Sequence, residues 1–292
     1  HFLRDTLMKN GVDVPFYTTD GAGYACLSAG KVEGAWSMVN CGPLDAENGI
    51  KLLKEFQSDK PPMIGEFWPG GNETWGSVHW QRPIEPVAEG YRKALDAGAF
   101  VNFYMFSGGT NFGFTAGRHF GIPFPRARED GLRMYSYVTS YNVYAPVSEW
   151  GDTTPLYYAL RKELDEYLGR PVRTDKVPDV PRQRIENVKL TKSASLFDSL
   201  DTLSEKTVRQ NGLCTMDSLG QTFGYILYST EVRGSGEEYE PVIMINGLRD
   251  LALIFVDGKY VGTYLRDEAK SERGTLKITV PAEGCRLDIL VE

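Results

Sequence analysis

A glutamate delivered by an apolar strand into a run of aromatic side chains is where this sequence most clearly offers chemistry. In Pro62-Met-Ile-Gly-Glu-Phe-Trp-Pro-Gly-Gly-Asn-Glu-Thr-Trp-Gly76 the carboxylate is Glu66, with Phe67, Trp68 and Trp75 around it. Aromatic faces stack on the C–H-rich faces of sugars, and a carboxylate between them can meet an oxocarbenium-like centre. The same surroundings disfavour the charged form, so partners must hold Glu66 ionised if it is to attack. The structural alternative is a capping or salt-bridged glutamate after a core strand. On this segment alone both readings stand.

A second block, Val101-Asn-Phe-Tyr-Met-Phe-Ser-Gly-Gly-Thr-Asn-Phe-Gly-Phe114, joins an aromatic strand to a glycine-rich loop. Its glycines have neither the P-loop nor the dinucleotide spacing, so a phosphate cradle is not indicated. Tyr104 brings a phenol to the strand's end, and Asn102 and Asn111 bring amides suited to hydroxyl recognition. The alternative is a tight turn packing one strand against the next helix.

These residues need a scaffold that gathers strand ends. Over residues 1–168, apolar runs alternate with amphipathic stretches, which predicts repeated βα units and a parallel sheet. Strands are predicted at Val14–Thr19, Ala35–Asn40, Pro62–Phe67 and Phe100–Phe106, apolar enough to be buried on both faces. Helices are predicted at Asp45–Gln57, Ile84–Ala97 and Leu156–Leu168, the last with Thr154 as N-cap, Pro155 at N1 and Gly169 beyond its end. Residues 169–190, with Pro171, Pro178 and Pro181, read as a linker. Residues 191–292 change to alternating strands, with Asp257-Gly258 as a two-residue hairpin signal, and predict an antiparallel sandwich or jelly roll. Four βα units cannot close a barrel. Either the sheet is open and doubly wound, or four earlier units precede it. His1 reads as inside a helix and Leu287–Glu292 as a strand, so both ends read as cut and the second option is expected.

The bulk numbers exclude several classes. A net charge of -7 with no basic stripe argues against nucleic acid. No apolar run has the length of a membrane span. Four cysteines and three histidines show no metal-ligand spacing, so no metal is expected and no cofactor is implied. A Cys26–Cys41 disulfide is one reading; buried free thiols are the other.

The blocks Thr18-Thr-Asp-Gly21, Gly65-Glu-Phe-Trp68 with Trp75-Gly76, Asn102 through Gly113, and Ser148-Glu-Trp-Gly151 closely resemble the β-galactosidases of glycoside hydrolase family 35. Leu219 to Tyr228, Arg249-Asp and Phe255-Val-Asp-Gly-Lys259 resemble that family's β-rich downstream region. The resemblance implies an α/β fold: a partial TIM-type (β/α) barrel carrying strands five to eight, then a β-sandwich. It implies a retaining exo-hydrolase acting on terminal β-galactosyl residues, with Glu66 as nucleophile. Retention needs a second carboxyl group about 5–5.5 Å away. In the family that group follows an asparagine on strand four, so it is expected on the N-terminal half of the same barrel. Asn72-Glu73 has the wrong order and context to be that residue. Tyr104 matches a family tyrosine that contacts the sugar, Trp68 and Trp75 are expected to shape the pocket, and Asp20 reads as a turn residue.

Two departures bear on substrate. Gly70-Gly71 stands where the family has Gly-Trp, and Val143 replaces a sugar-contacting tyrosine, with Tyr144 adjacent. Losing a polar contact to the glycon can shift preference strongly. A β-glucosaminidase-like relative and a non-catalytic sugar-binding homologue are therefore the alternatives. Glycosylation at the sequon Asn72-Glu-Thr74 would crowd the pocket, which favours a bacterial secreted or periplasmic protein.

Overall fold

Apolar runs rich in β-branched and aromatic residues form four parallel strands in the computed structural model, which describes residues 1–75, 82–120, 134–141, 144–266 and 276–292. They are β1 (Phe16–Gly21), β2 (Ala35–Cys41), β3 (Met63–Phe67) and β4 (Phe100–Phe103), and they pair in chain order. The helices are α1 (Phe2–Lys9), α2 (Tyr24–Gly30), α3 (Ala46–Phe56), α4 (Ile84–Asp96) and α5 (Pro155–Tyr167). The chain divides into two compact units, His1–Phe112 with Tyr137–Arg182, and Gly113–Ser136 with Gln183–Glu292.

In the first unit α2 to α5 share one core with the sheet. Leu27, Ile50, Leu53, Val87, Tyr91, Leu156 and Leu160 pack with Val39, Cys41, Ile64 and Phe67. Each such side chain contributes about 1.5–3 kcal/mol when fully buried. β2 is buried on both faces as expected, its consecutive Ser37, Met38 and Val39 all buried, whereas the outer strands β1 and β4 are not. β1 and β4 alternate between half-buried and exposed positions, and Tyr17 and Phe100 are 60% and 63% exposed. These two side chains lie on the face opposite the core shared with α2 to α5. A doubly wound sheet reverses its strand order; these four strands pair in chain order without a reversal. Beneath α2, the Asp20 carboxylate at the end of β1 lies so close to Gly30 that a Cβ there would be 2.0 Å from Oδ2. All four cysteines are free; Cys26 is exposed, and burial pushes the Cys41 thiol up to about 12, with Asp45 adding to it.

Two short strands, β5 (Gly109–Thr110) and β8 (Ser140–Tyr141), pair antiparallel beyond β4. Helix α5 begins one residue before its predicted start, with Pro155 at N1, and Gly169 follows it at φ +63°. Thr154 does not cap it with its side chain. The Oγ1 donates instead to the carbonyls of Ala145 and Pro146.

The stretch after α5 is polar and mostly exposed, yet it is strapped to that helix. The nearly buried Arg161 guanidinium donates to the carbonyls of Arg173 (2.8 Å) and Asp175 (2.7 Å). Asp165, 1% exposed, accepts from the Arg173 backbone and side chain, both at 3.1 Å. Tyr158 accepts from the Val177 amide, and Asp152 from Val180.

In the second unit β6 (Arg118–Phe120) pairs with β7 (Met134–Ser136). Strands β9 (Ile226–Arg233), β11 (Leu251–Val256), β12 (Lys259–Leu265) and β14 (Gly284–Val291) form an antiparallel sheet in the order β12-β11-β14-β9. Strands β10 (Val242–Ile243) and β13 (Leu276–Lys277) pair separately, and the two sheets share a core around Ile254, Tyr264 and Val280. The Asp257-Gly258 hairpin forms between β11 and β12 with φ of +47° and +74°, the positive values a two-residue turn of this kind demands. Short helical turns at Phe197–Ser199, α6 (Leu200–Leu203) and Asp217–Leu219 interrupt the irregular chain before β9. Among the described residues no helix is long and apolar enough to cross a membrane.

Arg161→Ala should cost about 2–3 kcal/mol in urea unfolding, because it removes charge-assisted hydrogen bonds that carbonyls at that site depend on. It should also open residues 170–182 to limited proteolysis. Hydrogen bonds from Arg173 hold the Asp165 carboxyl below the usual range. The stabilisation from this contact is therefore present above the ordinary carboxylate pKa and lost as pH falls through the lowered one. Unchanged proteolysis of the variant would mean that the strap is held by something else.

Candidate active site

Strand β3 contains a misfit that sets the direction of Glu66. Ile64 and Phe67 are both fully buried in the helix-side core, although three residues apart. Regular alternation would put them on opposite faces. On β2 their partners are Val39 and Cys41, and on β4 they are Val101 and Phe103, each pair only two apart. Between them β3 therefore sets two residues, Gly65 and Glu66, against one on each side: Asn40 and Asn102. This is a bulge, and it returns Phe67 to the core while releasing Glu66 from it. A regular strand would aim the carboxylate at Ile50, Leu53 and Val87, at a cost of several kcal/mol.

The bulge is packed on the open face. A Cβ at Gly65 would stand 2.4 Å from Thr19 Oγ1 and 3.3 Å from Asn40 Oδ1, so the position requires glycine. Thr19 donates to Asn40 Oδ1. The Asn102 amide donates to the Gly65 carbonyl at 3.0 Å.

Half-buried Glu66 lies at the C-terminal end of β3, the end at which parallel barrels build their sites. Its Oε2 accepts from Trp68 Nε1 at 2.9 Å. Tyr104 follows β4, its amide donating to the Phe67 carbonyl at 2.9 Å. The Tyr104 and Tyr141 hydroxyls share a hydrogen bond at 3.1 Å, with the rings edge to face at 6.3 Å. Tyr104 is pushed up to about 12, first by its hydrogen bond with Tyr141, then by burial and by the nearby charges of Tyr141 and Glu66. Both the sequence-predicted carboxylate and the sequence-predicted phenol are thus brought together with Trp68.

The other predicted residues are placed less centrally. Trp75 is 67% exposed. Asn111 is half-buried on β5's continuation, and its backbone N–H donates to the Thr139 carbonyl. Tyr144 is half-buried beside Ala145 and Pro146, and no described contact joins it to Glu66 or Tyr104. Gly71 is half-buried; Gly76 and Val143 lie outside the described residues. Sequence reasoning did not single out Tyr141, which β8 carries to Tyr104, or Tyr137. Burial raises Tyr137, a hydrogen bond from the Asn72 side chain lowers it, and Tyr141 adds a further upward push. The signal for both was the tyrosine spacing in Tyr135-Ser-Tyr137 and Ser140-Tyr141. Thr110 hydrogen-bonds Glu149 of the Ser148-Glu-Trp-Gly151 block, fixing the glycine-rich loop against it.

Residues 2–167 match the model of glycosyl hydrolases family 35, and residues 214–292 match that of the first all-beta domain of beta-galactosidase. The chain belongs to glycosyl hydrolase family 35. That is a TIM-barrel family followed by a β domain, in keeping with a parallel sheet in one unit and antiparallel sheets in the other. A beta-galactosidase of Xanthomonas manihotis is 31% identical over 99% of the chain, and beta-galactosidase-1-like protein 3 of Mus musculus is 33% identical over all of it. A Felis catus beta-galactosidase is 32% identical over 99% of the chain. The family-35 chain spans 45%, 42% and 41% of these relatives' own lengths, less than half in each case.

Tyr141→Phe should let Tyr104 titrate nearer the ordinary phenol pKa of about 10, read by NMR of ¹³Cζ-labelled tyrosine. In the unsubstituted protein the unfolded chain releases this proton between about 10 and about 12 while the folded chain keeps it, so stability falls as pH rises through that window. A Tyr104 titration that does not move would show that the Tyr141 hydrogen bond is not its main cause.

Proposed function

We propose that this chain carries the nucleophile side of a retaining exo-β-galactosidase, with Glu66 attacking the anomeric carbon of a terminal β-linked sugar. The observation that carries the reading is the bulge: it takes one carboxylate out of a core strand and sets it between Trp68 and Tyr104. Family membership and the names of the relatives support galactose as the glycon. The sequential strand order and the helices on one face support β1 to β4 as strands five to eight of a barrel. Residues 1–168 form that half in this reading, residues 169–190 connect, and residues 191–292 are the β-sandwich.

In the first step the Glu66 oxygen bonds to C1 as the C1–O bond to the leaving group breaks. The leaving oxygen takes its proton from a second carboxyl group, which then activates water to release the sugar. That group belongs in this reading to the N-terminal half of the barrel. Trp68 holds Glu66 through a neutral N–H. Tyr104, kept protonated by its surroundings, is a hydrogen-bond donor for the sugar ring or for Glu66. Trp75, Asn111 and Tyr144 are assigned to the wider pocket wall. The Asn72 side chain is engaged by Tyr137, which supports an unglycosylated sequon and a bacterial secreted or periplasmic setting.

The test is trapping of the full-length protein with 2,4-dinitrophenyl 2-deoxy-2-fluoro-β-galactoside. Its leaving group departs as an anion, so trapping needs no proton donor. Stoichiometric dinitrophenolate release and a fluorogalactosyl ester on Glu66 are expected, with Glu66→Gln slower by about a thousandfold or more. An ester on any other residue overturns the assignment.

A further inference from the structure

The Asn102 amide was expected to read a sugar hydroxyl, but its position gives it different work. Asn102 is the single β4 residue set against the two bulged residues of β3, and its Nδ2 lies 3.0 Å from the Gly65 carbonyl. That carbonyl belongs to the peptide bond leading into Glu66. In a regular ladder it would find a backbone donor on a neighbour; a bulge leaves the extra residue without one. Asn102 supplies a side-chain donor to this carbonyl from the β4 side. On the β2 side, Thr19 and Asn40 crowd Gly65 so closely that no Cβ fits. The bulge is thus fixed from both neighbours, at the peptide whose rotation turns the Glu66 side chain.

We infer that Asn102 is a positioning residue for Glu66: its amide clamps the Gly65 carbonyl and so fixes the direction in which the carboxylate leaves β3. The inference rests on the reading of Glu66 as nucleophile. An attacking atom must meet the anomeric carbon within a few tenths of an ångström, and a misplacement of about 1 Å can cost about a hundredfold in rate. Binding of the sugar, carried by other side chains, does not depend on the clamp. Loss of the amide should therefore act on the chemical step and spare affinity. Loss of a hydroxyl-reading residue would weaken binding as well.

The experiment is trapping kinetics of the full-length protein with the same dinitrophenyl fluorogalactoside, separating the first-order trapping rate from the inhibitor's dissociation constant. Asn102→Leu keeps the shape and removes the donor; Asn102→Gln keeps a donor. The leucine variant should form the Glu66 ester about 10–100-fold more slowly, with a dissociation constant within about twofold of the unsubstituted protein. The glutamine variant should recover most of the rate. Gly65→Ala strikes the same bulge from the β2 side without touching Asn102 and should show the same split, which keeps the inference testable if the leucine variant does not fold. An unchanged trapping rate in Asn102→Leu or in Gly65→Ala, or a loss that lies wholly in affinity, overturns the positioning role while leaving Glu66 in place. An ester on another residue in the unsubstituted protein is a separate failure: it removes the nucleophile reading, and this inference with it.

Discussion

Ile64 and Phe67 both belong in the core, and a regular strand cannot bury two side chains three residues apart on one face. The chain resolves that conflict by setting Gly65 and Glu66 against single residues of β2 and β4. Everything distinctive about the site follows from this choice. Phe67 reaches Tyr91 and Phe103 in the core, with ring centroids at 6.4 and 5.4 Å. Glu66 is freed from the apolar side at the same stroke. The hydrophobic drive that fixes the register therefore also aims the carboxylate, and the two cannot be altered independently. A one-residue slip would bury the charge and expose Phe67, so the correct register is favoured twice.

What surrounds the bulge is polar and locally self-satisfied. Thr19 with Asn40, Asn102 with the Gly65 carbonyl, and Trp68 with Glu66 each tie one strand end to its neighbour. The phenol pair Tyr104–Tyr141 then joins β4 to β8, and the glycine-rich loop between them is held by Thr110 on Glu149. Loops at the carboxyl end of a parallel sheet are mobile unless bonded down; here each contributes a bond to the next. The strap after α5 does the same on the far side of the helix layer. Its polar composition reads as a linker, yet the buried Arg161 and Asp165 hold it.

Much of the scaffold was legible because local signals and packing agree. Strands β2 and β3 and helices α3, α4 and α5 fall within a residue or two of their predicted bounds, and Asp257-Gly258 makes the turn its φ values require. The seven-residue α2 escaped notice because Tyr24 to Gly30 has a single buried side chain, Leu27, too few for a helical period to show. The second face of the sheet was legible only in part: β2 is buried on both faces, while Tyr17 on β1 and Phe100 on β4 are exposed. Apolar content reports that a residue can be covered, not which element covers it. Glu66 and Tyr104 were legible as strand-end residues. Their true neighbours were less so. Tyr141 arrives on a two-residue strand and Tyr137 just beyond a three-residue one, neither marked by periodicity, and the bond from Asn102 to a backbone atom of another strand leaves no pattern in the sequence.

One signal for the bulge was present in the sequence. A lone glycine inside an apolar strand, as at Gly65, is a known mark of a bulge or of close backbone approach, and here it is both. Among the described residues the carboxylate is hydrogen-bonded by an uncharged side chain, Trp68. A cation on Glu66 would hold it tightly, and in the proposed reading the attacking oxygen must exchange its partner for carbon during the reaction. A neutral indole N–H orients one oxygen at 2.9 Å with a weaker grip than an ion pair would have. Tyr104, pushed up to about 12, adds a donor that stays protonated across the neutral range. The bulge sets direction, and neutral donors set the environment. The backbone has already placed the carboxylate on the side of the sheet away from the helix core, so these donors need only orient it.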